Sequence, residues 1–269
     1  MAASPPLSTA ERAGHYGLRL FCGLVFVFLI APVLVIVPLS FNAEPYFTYP
    51  MPGVSMRWYE ELLGSPAWRL SLRNSLVVAL ATTALATSLG TLAALGLSRR
   101  EFPCRTLVMG ILVSPMVVPM VITAVGVYFF YSRVGLTSSL AGLVLSHTAL
   151  ATPLVVITVT ATLQGFDRSL TRAAASLGAP PLVVFTRVTL PLIAPGVISG
   201  GLFAFITSFD EVVVALFLAG PEQRTLPRQM WTGIREQLSP AILAVASLMT
   251  LLSVLVLATV EYLRRRTIR

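Results

Sequence analysis

The chain has 269 residues, of which 56% are hydrophobic and only 11% charged, and its formal net charge is +8. A soluble domain carries about twice that share of charge, so an ordinary water-soluble fold is excluded. All 19 basic residues are Arg, and no basic patch with interleaved aromatics occurs, so the high isoelectric point does not indicate a nucleic-acid partner.

Residues 1–14 are polar and contain proline, and they read as a cytoplasmic tail. Six uncharged runs follow: Leu20–Ala43, Asn74–Ser98, Thr106–Ser132, Val134–Phe166, Val188–Phe209 and Gln237–Val260. A hydrocarbon core of about 30 Å needs roughly 20 apolar helical residues, so each run can cross it. The first run follows a basic segment, as a signal peptide would. It is long, however, and leads into Pro38, Phe41 and Asn42 without a small-x-small cleavage site, so it reads as a retained span. Cys22 falls in that span and Cys104 in an inner turn, which implies no disulfide.

The segment Ser40–Arg73 is punctuated by Pro45, Pro50, Pro52 and Pro66. Its Tyr46, Phe47, Tyr49, Trp58, Tyr59 and Trp68 suit the headgroup level or, alternatively, a surface for an extracytoplasmic partner. The second span is rich in small residues, which favour close helix approach in lipid. The third carries Ser114-Pro115 and Pro119, which are expected to kink it. The fourth contains His147, which has no charged neighbour in sequence; a structural hydrogen bond is expected in preference to a relay or a solute contact.

Between the fourth and fifth spans, Asp167 is suited to cap a helix of about ten residues. Gly178 and Pro180-Pro181 end that helix. Leu170, Ala173, Ala174 and Leu177 share one small apolar face, while Arg168 and Arg172 share another. A helix this short is marginal in water and needs a surface to lie against.

The fifth span opens at Leu190-Pro191-Leu192 and reaches Asp210-Glu211, with continuation expected through Val212–Leu218. From Ile193 to Asp210 is roughly 26 Å of helix, which puts both acids in the outer part of the membrane. An acid at this depth should face protein or water. Adjacent helical side chains diverge by about 100°, so one acid faces the path while the other contacts a neighbouring helix. The pair either attracts a cationic solute or forms part of a gate, or else it is structural and pairs with Arg224 or Arg228.

The sixth span ends at Arg264-Arg265-Arg266. Counting Arg in alternate segments places 12 on the side holding both termini and the Asp167 loop, against 7 on the other. That asymmetry puts the termini and the loop in the cytoplasm.

Arg172-Ala173-Ala174, Gly178, Val188, Leu190 and Pro191 reproduce the spacing of a cytoplasmic loop motif, E-A-A, three residues, G, nine residues, I-x-L-P. The chain resembles the permeases of ABC importers on these residues, with Arg172 in place of Glu and Val188 in place of Ile. Asn74-Ser75-Leu76, Asp210-Glu211-Val212-Val213-Val214, Gly220-Pro221, Leu226-Pro227 and Ser239-Pro240 resemble the spermidine/putrescine branch. The resemblance implies an all-α integral membrane protein of the type I importer class, with six transmembrane helices and both termini cytoplasmic. Residues 1–269 would form one permease domain, with residues 165–188 as its coupling loop. Asp167, Leu170, Arg172, Ala173, Ala174, Leu177, Gly178 and Ala179 would contact an ATPase, and Asp210 and Glu211 would line the path or gate.

The implied partners are two ATPase subunits, a second and non-identical permease subunit, an extracytoplasmic solute-binding protein and the bilayer of a bacterial inner membrane. The implied solute is a polyamine or related amine, with an amino-acid derivative or inorganic ion as the rival. ATP and Mg would sit on the ATPases. The chain has no G-x-x-x-x-G-K-[ST] loop and is expected to bind no cofactor or metal and to catalyse nothing. A channel or ion-driven carrier would be expected to carry ionisable residues across several spans, and a membrane enzyme would need a catalytic motif that is missing.

Overall fold

The structure is a computed structural model and describes residues 9–99, 101–236 and 239–267. In chain order the helices are α1 (Thr9–Leu39), α2 (Arg57–Gly64), α3 (Pro66–Leu97), α4 (Arg105–Val117), α5 (Met120–Val134) and α6 (Leu140–Gln164). They continue as α7 (Arg168–Ser176), α8 (Pro181–Val184), a π-helical turn (Phe185–Thr189), α9 (Leu190–Phe209), α10 (Val213–Leu218), α11 (Leu226–Glu236) and α12 (Pro240–Thr267). Five helical segments are long and apolar enough to cross a membrane, and α4 with α5 makes a sixth if the pair counts as one span.

Helix α1 begins at Thr9, so residues 9–14 of the expected tail are helical, while residues 1–8 lie outside the described residues. The third span is broken outright where only a kink was expected. Val118 precedes Pro119, whose ring disfavours helical backbone at the residue before it; Val118 adopts φ −72 and ψ 133 instead. The two halves meet at 102°. The fifth span also differs, beginning at Pro181 inside the expected loop and running unbroken to Phe209. Pro191 offers no N–H and its ring crowds the carbonyl four residues back. The π turn lies just before it, with Leu190 N–H donating to Phe185 O five residues earlier.

The chain divides into two compact units. One comprises Met1–Leu62 with Leu238–Leu248. Its centre is Trp58, whose indole N–H donates to Asn42 O at 2.6 Å and whose ring is buried with Ala241 and Ala244. Tyr59 OH lies 2.7 Å from Ser40 Oγ. The aromatic residues expected at headgroup level therefore divide: Tyr46, Phe47 and Tyr49 are exposed, whereas Trp58 is packed.

The other unit comprises Leu63–Gln237 and Met249–Arg269. Its core is the mutual packing of α3, α6 and α9. Apolar side chains gain little by leaving lipid for protein, so small residues that allow close backbone approach hold such helices together. Here Gly90 on α3 and Gly200 on α9 both abut Val155 on α6. A Cβ on Gly90 would lie 2.7 Å from the Val155 Cβ.

Overpacking of this kind costs about 1–3 kcal/mol, so Gly90→Ala is expected to lower the thermal unfolding midpoint in detergent. Gly110→Ala, where nothing lies within 4 Å, is the control and should leave the midpoint unchanged or raised.

Candidate functional site

Two places in the second unit concentrate polar groups with no purely structural explanation in sequence: the helix break after Phe209 and the α7 loop. Helix α9 ends at Phe209, with Asp210 as its C-cap. The expected continuation through Val212–Leu218 is replaced by a break followed by the six residues of α10. A new helix start exposes amide groups that need acceptors. Glu211 supplies them, its carboxylate accepting from Val214 N at 2.7 Å and Ala215 N at 3.1 Å.

Glu211 is buried, at 7% exposure, and its Oε2 lies 3.4 Å from His147 Nε2 on α6. The other imidazole nitrogen, Nδ1, is 2.9 Å from Ser208 Oγ. The expected structural hydrogen bond of His147 is therefore present, to Ser208, and nothing in the sequence signalled the carboxylate that approaches its other nitrogen. The two residues are 64 positions apart, so no local spacing signals the pair. Asp210, by contrast, is exposed.

Neither Arg suggested as a partner for the acids takes that part. Arg228 donates to Ala219 O and Gly220 O, just past the C-terminus of α10, where a cation is favoured by the helix dipole. Arg224 contacts Gln229 at 3.4 Å. The connection after α10 is fastened by α3: Asn74 Nδ2 donates to Glu222 O and Arg224 O, and Leu226 N donates to Ser75 Oγ at 2.7 Å.

Helix α7 matches its expected ends closely. Asp167 caps it, accepting from Ser169 N at 2.8 Å and from the Ser169 hydroxyl at 2.7 Å. Those two hydrogen bonds hold the Asp167 carboxyl below its ordinary range, with a smaller contribution from the Arg172 charge. At the other end Gly178 has φ +82. Its N–H donates to Ala175 O, and Ala179 N–H donates to Ala174 O. These are the two bonds of a Schellman motif, which needs the left-handed residue that glycine supplies.

Leu170, Arg172, Ala173 and Leu177 are exposed and Ala174 is half-buried. The inner side of α7 is different: Thr171, Ala175 and Ala179 face a cleft of about 470 Å³ shared with Ser98, Arg99 and Phe185. Arg168 crosses to donate to Ser98 O at the end of α3. The helix thus rests on the membrane helices by one side and leaves Leu170, Ala173 and Leu177 uncovered.

Helices of this number and length, a short loop helix and no strand among the described residues define an α-helical membrane protein. A bacterial ABC transporter involved in import of the acidic polysaccharide alginate shares the fold, with TM-score 0.71 at 16% identity over 98% of this chain and 99% of that one. So does the MetNI methionine ABC transporter in its inward-facing form, with TM-score 0.61 at 17% identity over 80% and 100%. Residues 86–269 match the binding-protein-dependent transport system inner membrane component, and the chain belongs to that family.

Among its relatives is the putrescine transport system permease protein PotI of Escherichia coli, 37% identical over 84% of this chain and 82% of the relative. Another is the spermidine/putrescine transport system permease protein PotC of Haemophilus influenzae, 30% identical over 91% and 95%. The chain is accordingly an inner-membrane permease of an ABC importer.

The Asp167 cap gives a direct test. An alanine side chain cannot accept from the Ser169 N–H, and cap removal should reduce hydrogen-exchange protection there about fivefold. Leu170, whose N–H donates to the Asp167 main-chain carbonyl, should change less. Asp167→Ser should retain most of the protection at Ser169. Because the carboxyl titrates below its usual range, the capping contribution is complete at neutral pH and is lost only as pH falls through that lowered value.

Proposed function

We propose that this permease carries a polyamine or related small amine inward, driven by ATP hydrolysis on partner subunits. The observation that carries the reading is the sorting of the acid pair at the α9–α10 break. Glu211 is enclosed by Val214, Ala215 and His147, while Asp210 leaves its carboxylate exposed. An uncompensated carboxylate at membrane depth is expensive unless it faces water or a charged partner. A cationic solute is such a partner, and relatives named for putrescine and spermidine support this class.

On this reading, α7 is the coupling helix. Its uncovered Leu170, Ala173 and Leu177 would seat in a cleft on an ATPase subunit, with Asp167 and the Gly178-Ala179 turn fixing its ends and Arg172 at the rim. Two ATPase subunits would bind ATP and Mg, and a second, non-identical permease subunit would complete the path. A solute-binding protein would deliver cargo from the extracytoplasmic side. The termini and residues 165–188 would be cytoplasmic, as the Arg asymmetry requires. Driving a two-state path from 1:99 to 99:1 takes about 5.5 kcal/mol of differential binding, so α7 must dock firmly in one state.

Two substitutions test the two halves. Gly178→Asp places a side chain at φ +82 and disrupts the Schellman turn. Purified complex carrying it should hydrolyse ATP while failing to move solute; full uptake by correctly assembled mutant complex would remove the coupling role from α7. Asp210→Asn should raise the KM for putrescine by about tenfold or more, the loss of roughly 1.4 kcal/mol of attraction. An unchanged KM would assign the solute contact elsewhere.

A further inference from the structure

One buried imidazole holds both flanks of Asp210. Ser208 lies in the last turn of α9 and Glu211 lies just before α10, and His147 of α6 reaches both, at 2.9 Å and 3.4 Å. Beyond Asp210 the backbone has little support of its own. The last bond of α9 is Asp210 N–H to Ile206 O, and the next helical bond is Leu216 N–H to Val212 O. The direction of the Asp210 side chain is therefore set by whatever fixes residues 208 and 211.

The chemistry of the grip is self-consistent. With its proton on Nε2, the ring would accept from the Ser208 hydroxyl at Nδ1 and carry its N–H on the side of the Glu211 carboxylate, 3.4 Å away. The Glu211 carboxylate is held from the opposite side by the Val214 and Ala215 amides. His147 is 1% exposed, so water offers it no alternative partner. Its Nε2 makes no hydrogen bond of normal geometry, and Glu211 Oε2 is the acid facing it. A buried polar atom in that position favours whatever arrangement brings the carboxylate closer. Phe205 and Phe209 stack at 5.5 Å between ring centroids and add an apolar brace to the same turn.

We propose that His147 is a positioning residue for solute recognition: by tying Ser208 to Glu211 across the break, it aims the Asp210 carboxylate into the translocation path. Glu211 is then a structural anchor and helix cap, and Asp210 alone meets the solute. The proposal builds on the reading of Asp210 as the solute-facing acid, and its test separates the two.

The complete transporter is prepared with Cys22→Ser, Cys104→Ser and Asp210→Cys, and the new thiol is labelled with a membrane-impermeant cationic thiosulfonate. The labelling rate is compared for His147, His147→Ala and His147→Gln backgrounds. Gln can accept from Ser208 and donate to Glu211, so it should label within about twofold of His147, while Ala should shift the rate at least about fivefold. If the Ala variant does not assemble, His147→Asn serves instead, since its shorter amide keeps Ser208 but falls short of Glu211. Equal rates in all backgrounds overturn the positioning role.

With Asp210 restored, uptake of radiolabelled putrescine gives the second readout. His147→Ala should raise KM about tenfold with a smaller change in maximal rate, and His147→Gln should restore KM. Parent complex that moves no putrescine would overturn the amine reading, while the labelling result would still decide the role of His147.

Discussion

The structure around the α9–α10 break depends on one buried carboxylate. In a membrane interior a helix cannot simply stop, because the freed amides and carbonyls have no water to turn to. Glu211 resolves the N-terminal side of the problem by accepting from Val214 and Ala215. Arg228 resolves the C-terminal side by donating to Ala219 and Gly220. The six residues of α10 are thus capped at each end by an opposite charge in the sense the helix dipole favours. A buried carboxylate is costly unless its oxygens are satisfied, and both Glu211 oxygens accept from main-chain amides.

The approach of His147 to Glu211 is possible only because the helices carrying these groups pack closely. Gly90 and Gly200 admit the α3 and α9 backbones to Val155, and α6 is the shared neighbour of both. Larger residues at those glycines would move α6 outward and lengthen the His147–Glu211 contact beyond 3.4 Å. The small-residue packing of the core and the polar geometry of the break are therefore one constraint expressed in two places.

Much of this was legible in the sequence, for identifiable reasons. Apolar run length located the spans, because the bilayer sets that length directly. The ends of α7 were readable because Asp167 and Gly178 act within a few residues of themselves, through local bonds to Ser169, Ala174 and Ala175. Pro119 announced a disturbance but not its size: a kink and a 102° break use the same residue, and tertiary surroundings choose between them. The start of the fifth span was misplaced because Pro191 reads as a helix boundary, whereas the π turn carries the helix past it. The Asp210-Glu211 pair showed that the two acids differ in role but not which does what. Which of the two is buried becomes visible only beside His147, which is distant in sequence and close to Glu211 once α6 and α9 have packed.

The relation between the α7 loop and the break follows from the same geometry. Pro181 to Phe209 is 29 residues of continuous helix, about 43 Å long, more than the roughly 30 Å of a bilayer core. Its first turn, with the π turn, packs against α7, and its last turn carries Ser208. Where α7 rests, it therefore meets one continuous helix whose far end contacts α6 through an imidazole. The π turn at Phe185–Thr189 is the weakest point along that element, since its hydrogen-bond register departs from the α pattern on either side. Movement of α7 has two outlets: bending at the π turn, which would dissipate it, or displacement of Ser208 against His147, which would turn Asp210. The contact at 3.4 Å between Nε2 and Glu211 is the softer of the imidazole's two restraints, so displacement along α9 acts first on that contact.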